Sequence, residues 1–452
     1  MGSYTSLEID GYVLLSTKSY ADLTVLTVFR ETDKYLELVR IGEDGSRVLL
    51  DKPVPSDFEV EEEDEHIQVG YLARGDIVRD RLDVMGFTVD AVRSVFERGI
   101  AARLDRFQGW AADNPDLWVG DIEMLTDLTF DSWLAAFADL KTRGATKWST
   151  TLEGLKYTRL AAPIEIDKMG RFLLAQGGEY PFQFPLVDVR FFLRAVIEAC
   201  GTGVEFLQSL DDVVAAGYYW YEENIAENAS VLLEEDFPIN SRIVVLTEGV
   251  TDRRALELSL ALLYPHLVDY FGFLDFEGAA IAGGAGPLVM TVKAFAGAGI
   301  ANRVIALFDN DTAARAATRA LQRIELPPSI KIAHYPYLSL AKDYPTLGPS
   351  GTTSMDVNGL AASIELYFGE DILRSPSSGL TPIAWRNYEN SVGSYHGEVI
   401  DKASLQRRFE EKLAAASVDP TLLSTLDWSG MRLILSSLIG AFVNDPSTID
   451  DD

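Results

Sequence analysis

Short apolar runs alternate with stretches of helical spacing over residues 242–333. The run Ile243-Val-Val-Leu climbs to Glu248-Gly249, and a helical pattern follows through Leu263. Residues 267–275 read as a second strand. The run Val304-Ile-Ala-Leu-Phe ends in Asp309-Asn310-Asp311, again ahead of a helical stretch. Residues 330–335 read as the last strand. This alternation predicts βαβ units and a parallel sheet. Between the strands, Gly283-Gly284-Ala285-Gly286 leads into a helix near Pro287. It reads either as a phosphate-binding helix N-terminus or as a plain turn with a proline start.

The flanks follow other periods. Residues 7–15, 23–30, 35–41 and 48–50 read as strands, rich in β-branched and aromatic positions, with a turn at 42–46. They predict a small N-terminal sheet or meander. Residues 57–65 hold seven acids in nine positions. That run reads as a solvated linker or loop, with mimicry of nucleic acid or a clamp on a basic partner as the alternatives. From 76 to about 233 the pattern is helical: Val92, Val95, Phe96, Ile100 and Leu104 share one face. Residues 130–140 and 186–199 repeat it, and Asn114-Pro115 and Gly177-Gly178 punctuate the block. The aromatic run Tyr218-Tyr219-Trp220-Tyr221 reads as core packing ahead of base stacking. Residues 345–359 read as a Gly/Pro/Ser/Thr loop, and 356–368 and 405–413 as helices. Residues 428–442 form a last amphipathic helix before an acidic tail. The predicted fold is mixed α/β in four parts. A β-rich region (1–75) precedes a helical domain (76–240), a parallel α/β sheet (241–345) and a helical C-terminal extension (346–452).

Composition narrows the function classes. A formal net charge of −30 over 452 residues argues against a chain that wraps nucleic acid unaided. It predicts weak binding without metal or a partner. The single cysteine, Cys200, excludes an intramolecular disulfide and a multi-cysteine zinc site. A reducing cytoplasm fits. No window is long and apolar enough for a membrane span, and no basic-then-apolar leader opens the chain. No Gly-Lys-Ser/Thr loop is present, so ATP hydrolysis is not expected.

The chemistry sits at strand ends, where open parallel sheets collect ligands. If the strands before Glu248 and Asp309 are neighbours, Glu248, Asp309 and Asp311 converge. Buried anions repel, and the remedy is a hard divalent cation, Mg²⁺ or Mn²⁺. An extended backbone points Asp309 and Asp311 one way and Asn310 the other. Gly249 offers a tight turn, and Asp252 can share a helix face with Glu248.

Glu248-Gly249 and Asp309-Asn310-Asp311, in this order and each between a strand and a helix, resemble the Toprim domain. The resemblance covers residues 241–337. Toprim domains occur in topoisomerases, primases and nucleases of the overcoming-lysogenization-defect type. The nuclease resemblance implies further acids after Asp-x-Asp that complete a second metal site, here Asp356 and Glu365. It also implies a late lysine near the scissile phosphate. Lys402 is the first candidate, with Lys342 and Lys293 behind it. The opening residues resemble the N-terminal region found beside HEPN or Toprim domains in prokaryotic defence proteins. A HEPN ribonuclease motif is not expected. None of His66, His266, His334 and His396 follows an arginine at the required spacing.

A topoisomerase needs a large DNA-gripping domain, and a primase a zinc module or basic groove. Hydrolysis of a phosphodiester needs least. The reading is a metal-dependent nuclease with Glu248, Asp309, Asp311 and Lys402 as catalytic residues. Glu248, Asp252, Asp309, Asp311, Asp356 and Glu365 are the metal ligands. The substrate is DNA or RNA, and antiviral defence is the setting that the resemblance implies. A protein partner or homo-oligomer is open, and no membrane is involved. The alternative is a non-catalytic sensor or assembly subunit whose acids hold a structural cation.

Overall fold

The turn Asp10-Gly11 sets how the chain begins. Both residues are left-handed (φ 47° and 77°), as a two-residue hairpin turn requires. They join β1 (Tyr4–Ile9) to β2 (Tyr12–Lys18), so the single strand expected at 7–15 is two. The strand expected at 23–30 is replaced by α1 (Leu23–Leu26). Asp22 overrides the β propensity there, accepting from Thr24 N at 2.8 Å as an N-cap. The structure is a computed structural model. It describes residues 2–42, 47–50, 52, 65–112, 115–145, 166–175, 181–185, 188–236, 241–275, 283–348, 351–375 and 379–442. The turn expected at 42–46, the acidic run at 57–65, Asn114, the Gly177-Gly178 pair and the acidic tail lie wholly or mostly outside these.

Two units make up the chain, residues 1–236 and 237–452. The first continues with β3 (Lys34–Ile41), β4 (Arg47–Leu49), β5 (Glu65–Arg74), α2 (Gly75–Met85), α3 (Val89–Ala111) and α4 (Pro115–Asp127). Then come α5 (Phe130–Arg143), α6 (Lys168–Leu174), α7 (Val189–Cys200), β6 (Glu205–Ser209), α8 (Asp211–Ala215) and α9 (Ile225–Asp236). The strand order is β2-β1-β6-β5-β3-β4, which is not a meander. β6 comes from the stretch read as helical and fills the place between β1 and β5. Residues 1–75 and 76–240 therefore share one sheet. Aromatic side chains fill the core beside it. Trp133 stacks on Phe137 with centroids 5.0 Å apart and donates Nε1–H to Phe182 O at 2.8 Å. The run 218–221 does not pack as one cluster: Tyr221 is buried, while Tyr218 and Trp220 are 55% and 70% exposed.

In the second unit the order is β7 (Ile243–Leu246), α10 (Val250–Leu263), β8 (Phe271–Phe273), α11 (Ala285–Ala298) and β9 (Val304–Phe308). β10 (Asn310–Asp311), α12 (Thr312–Thr318) and β11 (Ile330–His334) follow. The sheet order is β11-β9-β7-β8, parallel throughout. β9 is apolar at every position and buried at every position, as a central parallel strand covered on both faces must be. Its side chains pack on Leu246, Leu288, Val292 and Ile330. The strand expected at 267–275 is shorter, because Pro265–Tyr270 takes a 3₁₀ turn first.

The extension carries more strand than its sequence pattern suggested. β12 (Tyr344–Gly348) and β13 (Gly351–Met355) form a hairpin where a loop was expected. β14 (Ala361–Ala362) pairs with β10. A 3₁₀ turn, Ile364–Tyr367, replaces the helix expected at 356–368. α13 (Glu370–Leu373), β15 (Arg374–Ser375), β16 (Gly379–Leu380), β17 (Ile383–Glu389) and β18 (Ser394–Val399) precede α14 (Lys402–Val418), α15 (Leu422–Thr425) and α16 (Ser429–Ile439). A second sheet of order β13-β12-β17-β18 results. The whole is mixed α/β.

The 3₁₀ turn that carries Glu365 is held by α16. A Cβ on Gly430 would meet Tyr367 O at 2.5 Å and Tyr367 Cα at 2.7 Å. Helix propensity favours alanine by at most about 1 kcal/mol, whereas overpacking against backbone costs about 1–3 kcal/mol. Gly430→Ala should therefore lower the urea midpoint of the full chain. An unchanged midpoint would show that this contact gives way freely.

Candidate functional site

Parallel pairing of β7 with β9 decides the site. The register sets Leu246 against Ala306, so Glu248 and Asp309 leave their strands side by side. The Asp309 backbone N–H donates to Glu248 Oε1 at 2.9 Å. Asp311 ends β10 and caps α12, accepting from Ala314 N at 2.8 Å. Asn310 points elsewhere, with Nδ2 3.4 Å from Asn358 Oδ1. Asp252 stands buried in the first turn of α10.

Two local expectations change. Gly249 is extended (φ −150°, ψ 167°), so no left-handed turn explains it. A Cβ there would stand 3.6 Å from Asp252 Oδ2, an ordinary contact. Glu248 precedes the helix N-cap, so Glu248 and Asp252 are not paired along one helix face. They meet electrostatically all the same.

Of the two later acids, the structure brings in one. Glu365 is buried and held from two sides. Ser363 Oγ donates to Oε2 at 2.6 Å, and Gln406 Nε2 donates to Oε1 at 2.8 Å. Asp356 is exposed. Its Oδ1 accepts from Asn358 N and Nδ2 at 3.0 and 2.9 Å, a local turn apart from the cluster. An Asp two residues before an Asn favours that turn over a distant partner.

Lys402 is the first residue of α14. Its Nζ lies 3.8 Å from Glu365 Oε2. Burial pulls its pKa down, but Glu365, Asp309, Glu398 and Asp252 outweigh burial and hold it above the ordinary lysine value. Lys342 is exposed near the end of a 3₁₀ turn, and Lys293 is half-buried on α11. Lys402 is the one of the three whose field acts on Glu248 and Asp252. Sequence reasoning missed Ser363, Gln406, Tyr335 and His396. The spacing of Lys402 and Gln406, one helical turn apart, was a usable signal. Tyr335 gave none, although its buried ring lies in the field of Asp252, Asp309, Glu248 and Glu365. His396 Nδ1 stands 3.6 Å from Asp311 Oδ2.

The carboxylates resist one another. Burial, opposed by the Asp309 N–H and added to by Asp311, pushes Glu248 up to about 7. Burial, then Glu365 and Glu248, pushes Asp252 up to about 7. Asp309 is held well above its ordinary value by burial and then by Asp252, Glu248, Asp311 and Glu365. Its Oδ1 is buried without a hydrogen-bond partner. An all-oxygen, anionic donor set with an orphaned buried oxygen suits Mg²⁺ or Mn²⁺. Among the described residues, no three His, Cys, Asp or Glu side chains are already grouped to hold a metal ion. The acids converge without closing a shell, so a cation would have to draw them in by side-chain rotation.

These shifts fix a pH dependence. A carboxyl with a raised folded pKa keeps its proton where the unfolded chain has already lost it. Stability then falls as pH rises from the ordinary glutamate value of 4.5 to about 7, and stays low above. In chelator, the melting temperature of the full chain should fall across that window. Glu248→Gln should flatten the fall and raise the melting temperature at alkaline pH. Mg²⁺ or Mn²⁺ should restore the parent there. A flat parental profile, or a destabilised Glu248→Gln chain at alkaline pH, would contradict the charge repulsion.

Among the described residues, no helix is long and apolar enough to cross a membrane. No curated protein and no solved structure matches the chain. The family model for HEPN/Toprim N-terminal domain 1 matches residues 1–232. That span is just over half of the 452 residues and nearly all of the first unit. It bears out the HEPN/Toprim-associated reading of the N-terminal regions, and the acid cluster lies outside it. The chain belongs to the HEPN/Toprim N-terminal domain 1 family.

Proposed function

We propose that the chain is a Mg²⁺- or Mn²⁺-dependent nuclease of Toprim type that hydrolyses phosphodiester bonds of DNA or RNA. The observation that carries this is the convergence of Glu248, Asp309 and Asp311 at the ends of neighbouring parallel strands. Asp252 and Glu365 are near enough to act on this group electrostatically. The family name, which pairs HEPN with Toprim, supports a nuclease-related role. Prokaryotic antiviral defence and a cytoplasmic location rest on the resemblance and on the single cysteine.

Glu248, Asp309 and Asp311 would hold the metal, with Asp252 and Glu365 extending the oxygen set. When bound, the divalent ions supply water activation and stabilisation of the leaving oxygen. Ser363 and Gln406 orient Glu365 by donating to its two oxygens. Lys402 places an ammonium beside the acids without being a ligand. That ammonium stabilises charge developing on the phosphate.

The test is cleavage of plasmid, single-stranded DNA, RNA and tRNA with Mg²⁺ or Mn²⁺. Asp309→Asn should abolish cleavage in a folded chain. Lys402→Met keeps the stem and removes the charge. It should slow turnover about a hundredfold or more, the scale for one lost electrostatic stabiliser, with metal affinity nearly unchanged. Undiminished cleavage by Asp309→Asn would sink the assignment. A parent that cleaves none of these, yet is stabilised by the cation, would favour a structural-cation subunit.

A further inference from the structure

A cleft of about 640 Å³ opens between α12 and the end of β11. Its lining reverses the chemistry of the chain. The sequence carries 69 Asp and Glu, yet none is among the described residues that line this cleft. Arg315, Arg319, Gln322 and Tyr337 line it instead. Asn310 and Tyr335 line it as well. Asn310 sits between Asp309 and Asp311 and faces away from them, and Tyr335 lies in the field of Asp309 and Asp252, so the cleft borders the strand end that carries the acids.

The arginines are placed by the same helix as the metal acid. Asp311 caps α12. Arg315 lies on that helix, and Arg319 four residues on shares its face. Both are exposed. Their backbone anchors hold them across the cleft: Arg315 Nη1 donates to Gly359 O at 3.3 Å, and Arg319 Nη1 donates to Ser391 O. Each guanidinium keeps further N–H groups for an anion, in the planar fork that matches phosphate. Tyr337 follows β11 and is 54% exposed. An exposed ring beside two arginines suits stacking on a base. Bases in a duplex have their faces covered, so the ring selects unpaired nucleotides.

We infer that this cleft seats a single-stranded segment of nucleic acid next to the scissile phosphate. Arg315 and Arg319 bind its phosphates, and Tyr337 stacks on an unpaired base. This rests on the nuclease reading for its purpose, but its test does not use cleavage. Labelled oligo-dT, oligo-U and a short DNA duplex are titrated with the full chain in chelator, at salt from about 50 to 200 mM. Binding at low salt, vanishing towards physiological salt, is expected for the single strands. The two single-stranded probes separate a DNA from an RNA preference.

Replacing Arg315 and Arg319 together by Ala should flatten the plot of log affinity against log salt by about 1.4, at about 0.7 per phosphate contact on a single strand. Tyr337→Ala should weaken the single strands on the order of tenfold and leave the duplex unchanged. Should the double variant fail to fold, exposed Gln322→Glu places a negative charge in the cleft and should weaken both single-stranded probes. Binding by the parent without cleavage of any substrate would sink the nuclease reading and keep the cleft. No binding by the parent at low salt overturns the cleft, and so do variants with the parental affinity and salt slope, whatever cleavage does.

Discussion

Repulsion among buried carboxylates is the constraint the second unit is built around. Backbone pairing of β7 with β9 forces Glu248 and Asp309 together, and neither strand can slide back by one residue without drawing a polar end residue into the apolar layers. The hydrophobic core therefore fixes charges where electrostatics alone would part them. What offsets the repulsion is local and specific. The Asp309 N–H reaches Glu248, the first turn of α12 takes up Asp311, and Ser363 and Gln406 satisfy Glu365. Asp309 keeps a buried oxygen with nothing to accept from. Burying a charge without a partner is costly, so the core pays in stability for a site poised to accept positive charge.

The acids nearest the sheet were readable from sequence because two signals coincide at each. An apolar run announces the strand, and the change to helical spacing marks its end. Glu248, Asp309 and Asp311 sit at those changes. Asp252 was found through spacing, although the helix-face reason for it was wrong. Beyond residue 345 no such coincidence exists. Asp356 and Glu365 look alike in sequence, both ahead of apolar positions. Tertiary packing separates them: Glu365 is buried under α14 and α16, while Asp356 is consumed by Asn358. The hairpin at 344–355 was hidden because Gly, Pro, Ser and Thr read as loop residues. In the first unit, β6 was hidden because five residues between helices carry too short an alternation to outweigh their surroundings.

Charge is segregated along α12. Its N-cap, Asp311, belongs to the acid cluster, and its next turns carry Arg315 and Arg319 towards the cleft. One short helix thus sets anionic and cationic surfaces side by side. A formal charge of −30 repels a polyanion at long range, and screening confines that repulsion to about 8–10 Å at physiological salt. An acid-free cleft acts inside that range. The net charge thus works against loose association, while the acid-free lining of the cleft is a local feature that composition alone does not reveal.

Lys402 shows how strongly the site dictates local structure. A cation at the first position of a helix opposes the macrodipole, at about 0.3–1 kcal/mol. The residue before it, Asp401, is the helix N-cap with φ 58° and makes no side-chain capping bond. Left-handed backbone is uncommon outside glycine. Two local rules are therefore broken in adjacent residues. Violations that cluster in this way are expected where a site, rather than the helix, chooses the geometry. The choice here is consistent: the turn sets the ammonium 3.8 Å from Glu365, and four carboxylates hold it charged against burial. Gln406, one turn later, grips the same glutamate. Further along, Lys412 locks α14 down through Phe368 O and Asp371, at 2.9 Å each. The helix is thus anchored at its middle so that its unfavourable first turn can stay against the acids.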